Sequence, residues 1–289
     1  MKSNPIKYHG GKQYLAKEII RRFPEHLHYV EPYFGGGAVL LAKDAPDIED
    51  HSELVNDING DLSIFWSVMS SRILFEEFLQ RCRLCGFSEA TFDEASTTLG
   101  QIDPETFDPV ERALLFFIKY RQSRQGLGKC FATFSKNRTR RGMNEQVSSW
   151  LSAIESLPAA HERLQRVVVL AGRDACDVIR SEDSENTFFY LDPPYVQDSR
   201  VSKEAYENEM TLADHDELLN ALSNLKGKFL LSGYPSELYE DHSSRNCWYR
   251  MDITIDNKAS SKKTKDKKTE CLWSNYNQRS AMQVNDQRK

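Results

Sequence analysis

His28-Tyr29-Val30-Glu31-Pro32-Tyr33-Phe34-Gly35-Gly36-Gly37 reads as a short buried strand that runs into a glycine turn. Pro32 stops the strand, and three consecutive glycines free the backbone from the limits that a Cβ imposes. A helix over Ala38–Lys43 is expected directly after the turn. Upstream, Leu15, Ile19, Ile20 and Phe23 fall at helical spacing, which predicts a helix over Lys12–Phe23 ended by Pro24. Downstream, Glu53-Leu54-Val55-Asn56-Asp57 predicts a second strand that stops at Ile58-Asn59-Gly60, with another helix from Asp61 to Ser70. Strand, glycine turn, helix, strand and helix form a βαβα order, and that order calls for a parallel sheet.

The character changes between Arg72 and Leu164, where Leu74, Phe75, Phe78, Leu79 and later Leu114, Leu115, Phe116 and Ile118 keep a helical period. Strand signals return at Val167–Leu170, Thr187–Leu191 and Lys228–Ser232. Trp248–Ile255 and Glu270–Tyr276 predict a closing antiparallel hairpin around a Lys-rich loop. No internal repeat is visible. The expected fold is an α/β Rossmann-like sheet built from 1–71 and 165–289, with a mostly helical insert over 72–164.

The chain of 289 residues is 39% hydrophobic and 28% charged, which suits a well-solvated globular protein with a sizeable core. No stretch approaches 18 uncharged apolar residues, so no membrane span is expected. The first residues lack the apolar core of a secretory signal, and a cytoplasmic, intracellular location is expected. Cys82 and Cys85 form a lone CxxC without two further ligands at metal spacing, so all six cysteines are expected to be reduced thiols and no metal is expected.

The 38 basic and 43 acidic residues give a net charge of −5, which argues against a polyanionic partner, but their distribution argues for one. Lys119, Arg121, Arg124, Lys129, Lys136, Arg138, Arg140 and Arg141 follow one another with no acid between, and Phe131 and Phe134 interleave with them. Basic residues mixed with aromatics are the footprint of nucleic-acid contact. Lys258–Lys268 is a second basic run, better read as a solvated loop.

Two constellations carry chemistry. Glycines at a strand-to-helix turn let a ligand approach the backbone and the free N–H groups of the helix start. Asp57, about 20 residues on at the end of the next strand, stands where an acid hydrogen-bonds a ribose hydroxyl, although a plain turn or N-cap residue would look the same. Asp192-Pro193-Pro194-Tyr195 follows the apolar run Phe188–Leu191 directly. Two prolines force a rigid turn at the carboxyl end of a buried strand, where open α/β sheets bind ligands. The turn fixes a carboxylate, a carbonyl and an aromatic ring, a set that suits a planar amine such as an adenine amino group.

These segments resemble the Dam-type DNA adenine N6-methyltransferases over nearly the whole chain. Lys7-Tyr8-His9-Gly10-Gly11-Lys12 resembles the family's N-terminal cofactor motif, and Val30–Gly37 its glycine-rich motif. Asn56-Asp57-Ile58-Asn59 resembles its ribose-side acid, Asp192-Pro193-Pro194-Tyr195 its catalytic signature, and Ser232-Gly233-Tyr234 its late motif. Tyr8 stands where close relatives carry Trp. The insert has Gly128–Phe134 and Thr139–Asn144 in place of the Gly-Glu-Phe-Asn-type run associated with GATC, which leaves the target sequence open.

The resemblance implies S-adenosyl-L-methionine as cofactor, held by Tyr8, Lys12, Glu31, Phe34, Gly35, Gly37, Asp57 and Asp192. It implies double-stranded DNA as partner, contacted by Arg124, Lys129, Arg138, Arg140 and Arg141 of the insert. Asp192, Pro193, Pro194 and Tyr195 would carry a direct methyl transfer to the N6 of a flipped-out adenine. Family members often act as monomers, and nothing in the sequence demands a dimer. Alternatives are transfer to cytosine N4, a nicotinamide-dependent oxidoreductase, which lacks a GxGxxG here, and a DNA-binding protein with an inactive methyltransferase fold.

Overall fold

A computed structural model describes residues 4–8, 11–45, 49–102, 107–134, 136–196, 209–256 and 267–287, with backbone alone at 255–256 and 267–268. His9 and Gly10 of the N-terminal motif, and Lys258–Lys265 with Asp266 of the Lys-rich run, lie outside the described residues.

The first elements are α1 (Ala16–Ile20), β1 (His28–Glu31), α2 (Ala38–Ala42), β2 (Ser52–Val55) and α3 (Gly60–Ser70). The helix expected over Lys12–Phe23 shrinks to five residues. On either side the backbone closes shorter loops: Leu15 N–H donates to Lys12 O, Arg22 N–H to Ile19 O and Phe23 N–H to Ile20 O. These are i to i+3 turns, and Pro24 disfavours helical geometry at Phe23. The second strand starts one residue earlier and ends two earlier than expected. Asn56 ends it: its carbonyl accepts from Phe34 N–H, and its side chain pairs with both the carbonyl and the N–H of Arg173.

The middle of the chain holds α4 (Arg72–Leu84), α5 (Glu89–Leu99), α6 (Pro109–Gln122), a hairpin of β3 (Thr139–Arg140) and β4 (Met143–Asn144), and α7 (Glu145–Leu164). Asp108 starts α6 by accepting from the N–H groups of Val110 and Glu111, with Pro109 as first residue. The hairpin interrupts a segment expected to be helical. Its turn is Arg141-Gly142, at φ 56 and 74. Two positive φ values in a two-residue loop make the turn type whose twist matches paired strands.

The remaining elements are β5 (Val168–Val169), α8 (Ala175–Glu182), β6 (Thr187–Leu191), α9 (Leu212–Ser223), β7 (Lys228–Gly233), α10 (Glu237–Arg245), β8 (Tyr249–Asp256), β9 (Lys267–Ser274) and α11 (Gln278–Gln287). The sheet is mostly parallel and seven-stranded, in the order β5-β2-β1-β6-β7-β9-β8. β6 pairs parallel with β1 and β7, while β9 pairs antiparallel with β7 and β8. The expected closing hairpin is therefore present.

The chain divides into two compact units. One takes 1–17, 34–47 and 55–173; the other takes 18–33, 48–54 and 174–289. In the first, Phe65, Phe78, Phe116, Phe117 and Trp150 are fully buried; in the second, Tyr29, Phe188, Phe189, Tyr190, Phe229 and Trp273 are. The order within the second unit places its ligand end. From β1 the chain leaves for β2 on one side, and from β6 it leaves for β7 on the other. That makes the pair β1–β6 the topological switch point, and open α/β sheets bind their ligands beyond the carboxyl ends of strands at such a point.

Candidate active site

The glycine turn is held from several directions inside the first unit. Gly35 and Gly37 sit at φ 48 and 68, the left-handed region. Gly37 N–H donates to Phe34 O, and the Trp66 indole donates to Gly35 O at 2.9 Å. Gly35 N–H donates to Asp57 Oδ2 at 2.7 Å, and Asn59 N–H to Asp57 Oδ1 at 3.0 Å. Burial pushes the Asp57 carboxyl up to about 6, against the pull of those two amides. The Tyr8 side chain packs over Gly35 and Gly36, with its ring 5.3 Å from that of Tyr120. Phe34 and Lys12 are buried. The sequence motif is thus drawn around one turn, with Asp57 bracing it.

Glu31 ends β1 in the second unit. It is buried, and its Oε2 accepts the Tyr29 hydroxyl at 2.9 Å. On the neighbouring strand all five residues of β6 are buried, and the chain emerges as Asp192-Pro193-Pro194-Tyr195. Pro193 is buried, while Asp192 and Pro194 are partly exposed. The Tyr195 hydroxyl lies 2.7 Å from Glu270 Oε1 and 3.2 Å from Asp192 Oδ1. Ser232, near the end of β7, donates to the same Glu270 oxygen at 2.7 Å. The Tyr195 and Tyr234 rings lie 4.4 Å apart. A carboxylate, a carbonyl and two aromatic rings therefore stand together at the switch point. His215 is buried against the Tyr239 hydroxyl.

In the insert Arg124, Lys129, Arg138, Arg140 and Arg141 are all exposed. Arg141 is clamped by Glu155 through contacts of 2.9 and 2.8 Å, and Arg138 is 3.7 Å from Glu145. Phe131 packs against Phe87 and Phe92, so of the two interleaved aromatics only Phe134 faces solvent.

Three residues were not singled out as site residues from the sequence. Glu270 lies in β9 among Lys, Thr and Ser as well as apolar residues, and its burial at 1% exposure needed the fold to show it. Lys7 is half-buried and Arg121 buried, close enough for their charges to interact. Burial alone pushes Arg121 down to about 10, and burial together with Arg121 pushes the Lys7 amine down. The signal in the sequence was Arg121 inside the buried helical run that ends α6.

Among the described residues no group of three His, Cys, Asp or Glu is placed to hold a metal, and no helix is long and apolar enough to cross a membrane. The chain is similar to known proteins. The DNA adenine methylase of Serratia marcescens is 24% identical over 257 residues, 85% of this chain and 86% of that protein. The DNA adenine methylase of Escherichia coli K12 is 30% identical over 122 residues, covering 42% of this chain and 41% of its own length. That of Vibrio cholerae O1 El Tor is 25% identical over 194 residues, 66% and 64% of the two chains. The family described as D12 class N6 adenine-specific DNA methyltransferase matches residues 8–277, through the glycine turn, the helical insert and the Asp192–Tyr195 turn. The chain belongs to the D12 class N6 adenine-specific DNA methyltransferase family.

Proposed function

We propose that the protein is a site-specific DNA methyltransferase that transfers a methyl group from S-adenosyl-L-methionine to adenine N6 in duplex DNA. The observation that carries this is the Asp192-Pro193-Pro194-Tyr195 turn, fixed at the carboxyl end of the fully buried strand β6. Within a family defined by adenine chemistry, that turn has the acceptors an exocyclic amine needs.

The donor set around the glycine turn fits the cofactor. Asp57 accepts two amide N–H bonds, and a carboxylate has about four acceptor sites, so capacity remains for a ribose hydroxyl. A Cβ at Gly35 would meet nothing closer than the Tyr8 ring at 3.8 Å, which leaves the turn open to a ligand. Tyr8 offers an aromatic face and Lys12 a cation for the methionine carboxylate. Glu31, Phe34 and Gly37 complete the proposed set. When bound, the cofactor supplies an activated sulfonium methyl group.

The chain's own work is at the amine. The N6 lone pair of adenine is delocalised into the ring, so the nitrogen is a poor nucleophile. Asp192 Oδ and the Pro193 carbonyl accept its two N–H bonds, which favours a pyramidal nitrogen with its lone pair available. N6 loses one proton on methylation, and Asp192 or solvent takes it up. Tyr195 and Tyr234 supply the aromatic wall for a base swung out of the stack.

Residues 72–164 are the proposed target-recognition insert. Arg124, Lys129, Arg138, Arg140 and Arg141 there contact phosphates, with one or two of them reading guanine edges. A two-stranded ribbon of the kind formed by β3 and β4 fits a major groove. The test is to incubate the protein with unmethylated duplex DNA and S-adenosyl-L-methionine, then sequence for modified bases beside Asp192→Ala. N6-methyladenine in one short motif, absent with the variant, is expected. Methylcytosine, or an active Asp192→Ala, overturns the assignment.

A further inference from the structure

The contact between Tyr195 and its two carboxylate neighbours cannot be satisfied by one hydrogen. Tyr195 Oη lies within reach of Glu270 Oε1 at 2.7 Å and of Asp192 Oδ1 at 3.2 Å. A phenol carries a single hydrogen, and the shorter contact takes it. Glu270 has the better claim for a second reason. It sits on β9 beside β7, in the register that pairs Ser232 with Leu272, and Ser232 also donates to its Oε1. Its side chain is therefore fixed, at 1% exposure.

With the hydrogen on the Glu270 side, the phenol oxygen turns a lone pair toward Asp192 Oδ1. Two lone pairs facing each other at that distance are unfavourable while Asp192 is ionised. They become a hydrogen bond once Asp192 carries a proton. The row Asp192–H to Tyr195 Oη, then Tyr195 O–H to Glu270 Oε1, has every donor matched to an acceptor. We propose that Glu270 is a positioning residue for the methyl transfer: by holding the Tyr195 hydrogen, it presents the phenol oxygen as acceptor for the proton that Asp192 receives from N6. No bond to carbon changes in this step. One proton leaves the methylated nitrogen and comes to rest on Asp192 Oδ1. This inference rests on the role proposed for Asp192.

Two further groups stand in the field of Asp192. Tyr190 lies on β6 itself, in the field of Asp192, Glu31 and Glu270, and Tyr239 of α10 also lies in the field of Asp192. Tyr190, Tyr239 and Glu31 stay unchanged in every variant below, and both Glu270 replacements lose the same charge. The difference between Glu270→Leu and Glu270→Gln therefore isolates the Glu270–Tyr195 link.

The test is single-turnover methylation from pH 5 to 9 for wild type, Glu270→Leu, Glu270→Gln, Tyr195→Phe and the Leu–Phe double variant, with Asp192→Ala alongside. In Glu270→Leu the phenol is released to donate to Asp192 itself, which favours the carboxylate. The acidic limb of the rate profile therefore moves to lower pH, and the maximal rate falls about tenfold or more. KM for DNA and cofactor affinity stay within about threefold. Glu270→Gln keeps an acceptor for Tyr195 and Ser232, so it folds, recovers most of the rate and shows a smaller shift in the same direction. The double variant is no slower than the slower single one, because both cut one link. Equal rates and an unmoved limb in both Glu270 variants overturn the proposal. So does a rate loss whose limb movement is the same in Glu270→Leu and Glu270→Gln, which marks lost charge or mere structural support. An active Asp192→Ala sinks the underlying assignment instead, and the two failures are thereby told apart.

Discussion

Gly35 N–H donates to Asp57 Oδ2 at 2.7 Å, so the residue proposed to hold a ribose also braces the turn that lets the ligand approach. The carboxyl sits at about 6 because burial outweighs the two amide bonds. A carboxylate accepts hydroxyl hydrogens, whereas a carboxylic acid offers one acceptor less. Cofactor affinity should therefore rise with pH through about 6 and fall about tenfold one unit below it. Asp57→Asn should weaken binding and remove the pH dependence. Calorimetric titration with S-adenosyl-L-methionine between pH 5 and 8 measures both; a flat wild-type profile contradicts the role. The raised value also means the folded chain holds this proton more tightly than the unfolded one. The associated stability is full below pH 4 and is lost as pH rises through about 6.

Gly37 and Gly35 both have positive φ, but their surroundings differ. A Cβ on Gly37 would meet the Phe34 ring at 2.9 Å and Trp66 at 3.3 Å, whereas one on Gly35 meets only Tyr8 at 3.8 Å. Left-handed backbone costs an alanine about 1–2 kcal/mol. Gly35→Ala should lose that amount, and Gly37→Ala should lose more because the Phe34 ring must shift. Urea melts of the two variants rank them, and equal losses would show that the ring yields freely.

Much of the fold and of the candidate site was legible in the sequence for one reason: open α/β sheets bind ligands where strands end, and strand ends are written in proline, glycine and acid. Pro193 and Pro194 cannot extend β6, and Pro32 with the glycines Gly35–Gly37 marks the end of β1, so both turns announce themselves. The hairpin of β3 and β4 did not, because Arg141 is a poor signal for a residue at φ 56, where Asn or Gly is the usual occupant. Glu270 was hidden for a different reason. It reaches across three strands to Tyr195, a residue 75 positions away, and only the register of β9 against β7 brings it there.

Arg121 is 8% exposed, its Nε has no hydrogen-bond partner among the described residues, and Lys7 lies in its field. A buried cation without a counter-charge is costly in the free protein. Arg121→Met should therefore raise stability by about 1–3 kcal/mol without DNA, visible as a higher Tm. It should also weaken DNA binding, because phosphate is the anion that would compensate the charge. A lower Tm would mean that the guanidinium packs better than its lost hydration suggests.

The exposed cations of the insert fall into two groups. No contact ties up the Arg124 or Arg140 guanidinium among the described residues, and Arg138 reaches Glu145 only at 3.7 Å, whereas Arg141 is gripped twice by Glu155 at 2.9 and 2.8 Å. Each phosphate contact releases condensed counterions and contributes about 0.9 to the slope of log K against log salt. Arg124, Arg138 and Arg140 replaced together by Ala should flatten that slope by about 2 to 3 units. Arg141→Ala should change it less, since Glu155 already neutralises that side chain. Arg141→Asn relieves the positive φ of the turn and should stabilise the hairpin, with binding close to wild type. Fluorescence anisotropy with one duplex, titrated between 50 and 300 mM salt, separates these cases. An unchanged slope in the triple variant would return those three arginines to an ordinary solvated surface. A slope lost mainly in Arg141→Ala would show that Glu155 gives up its partner when DNA binds.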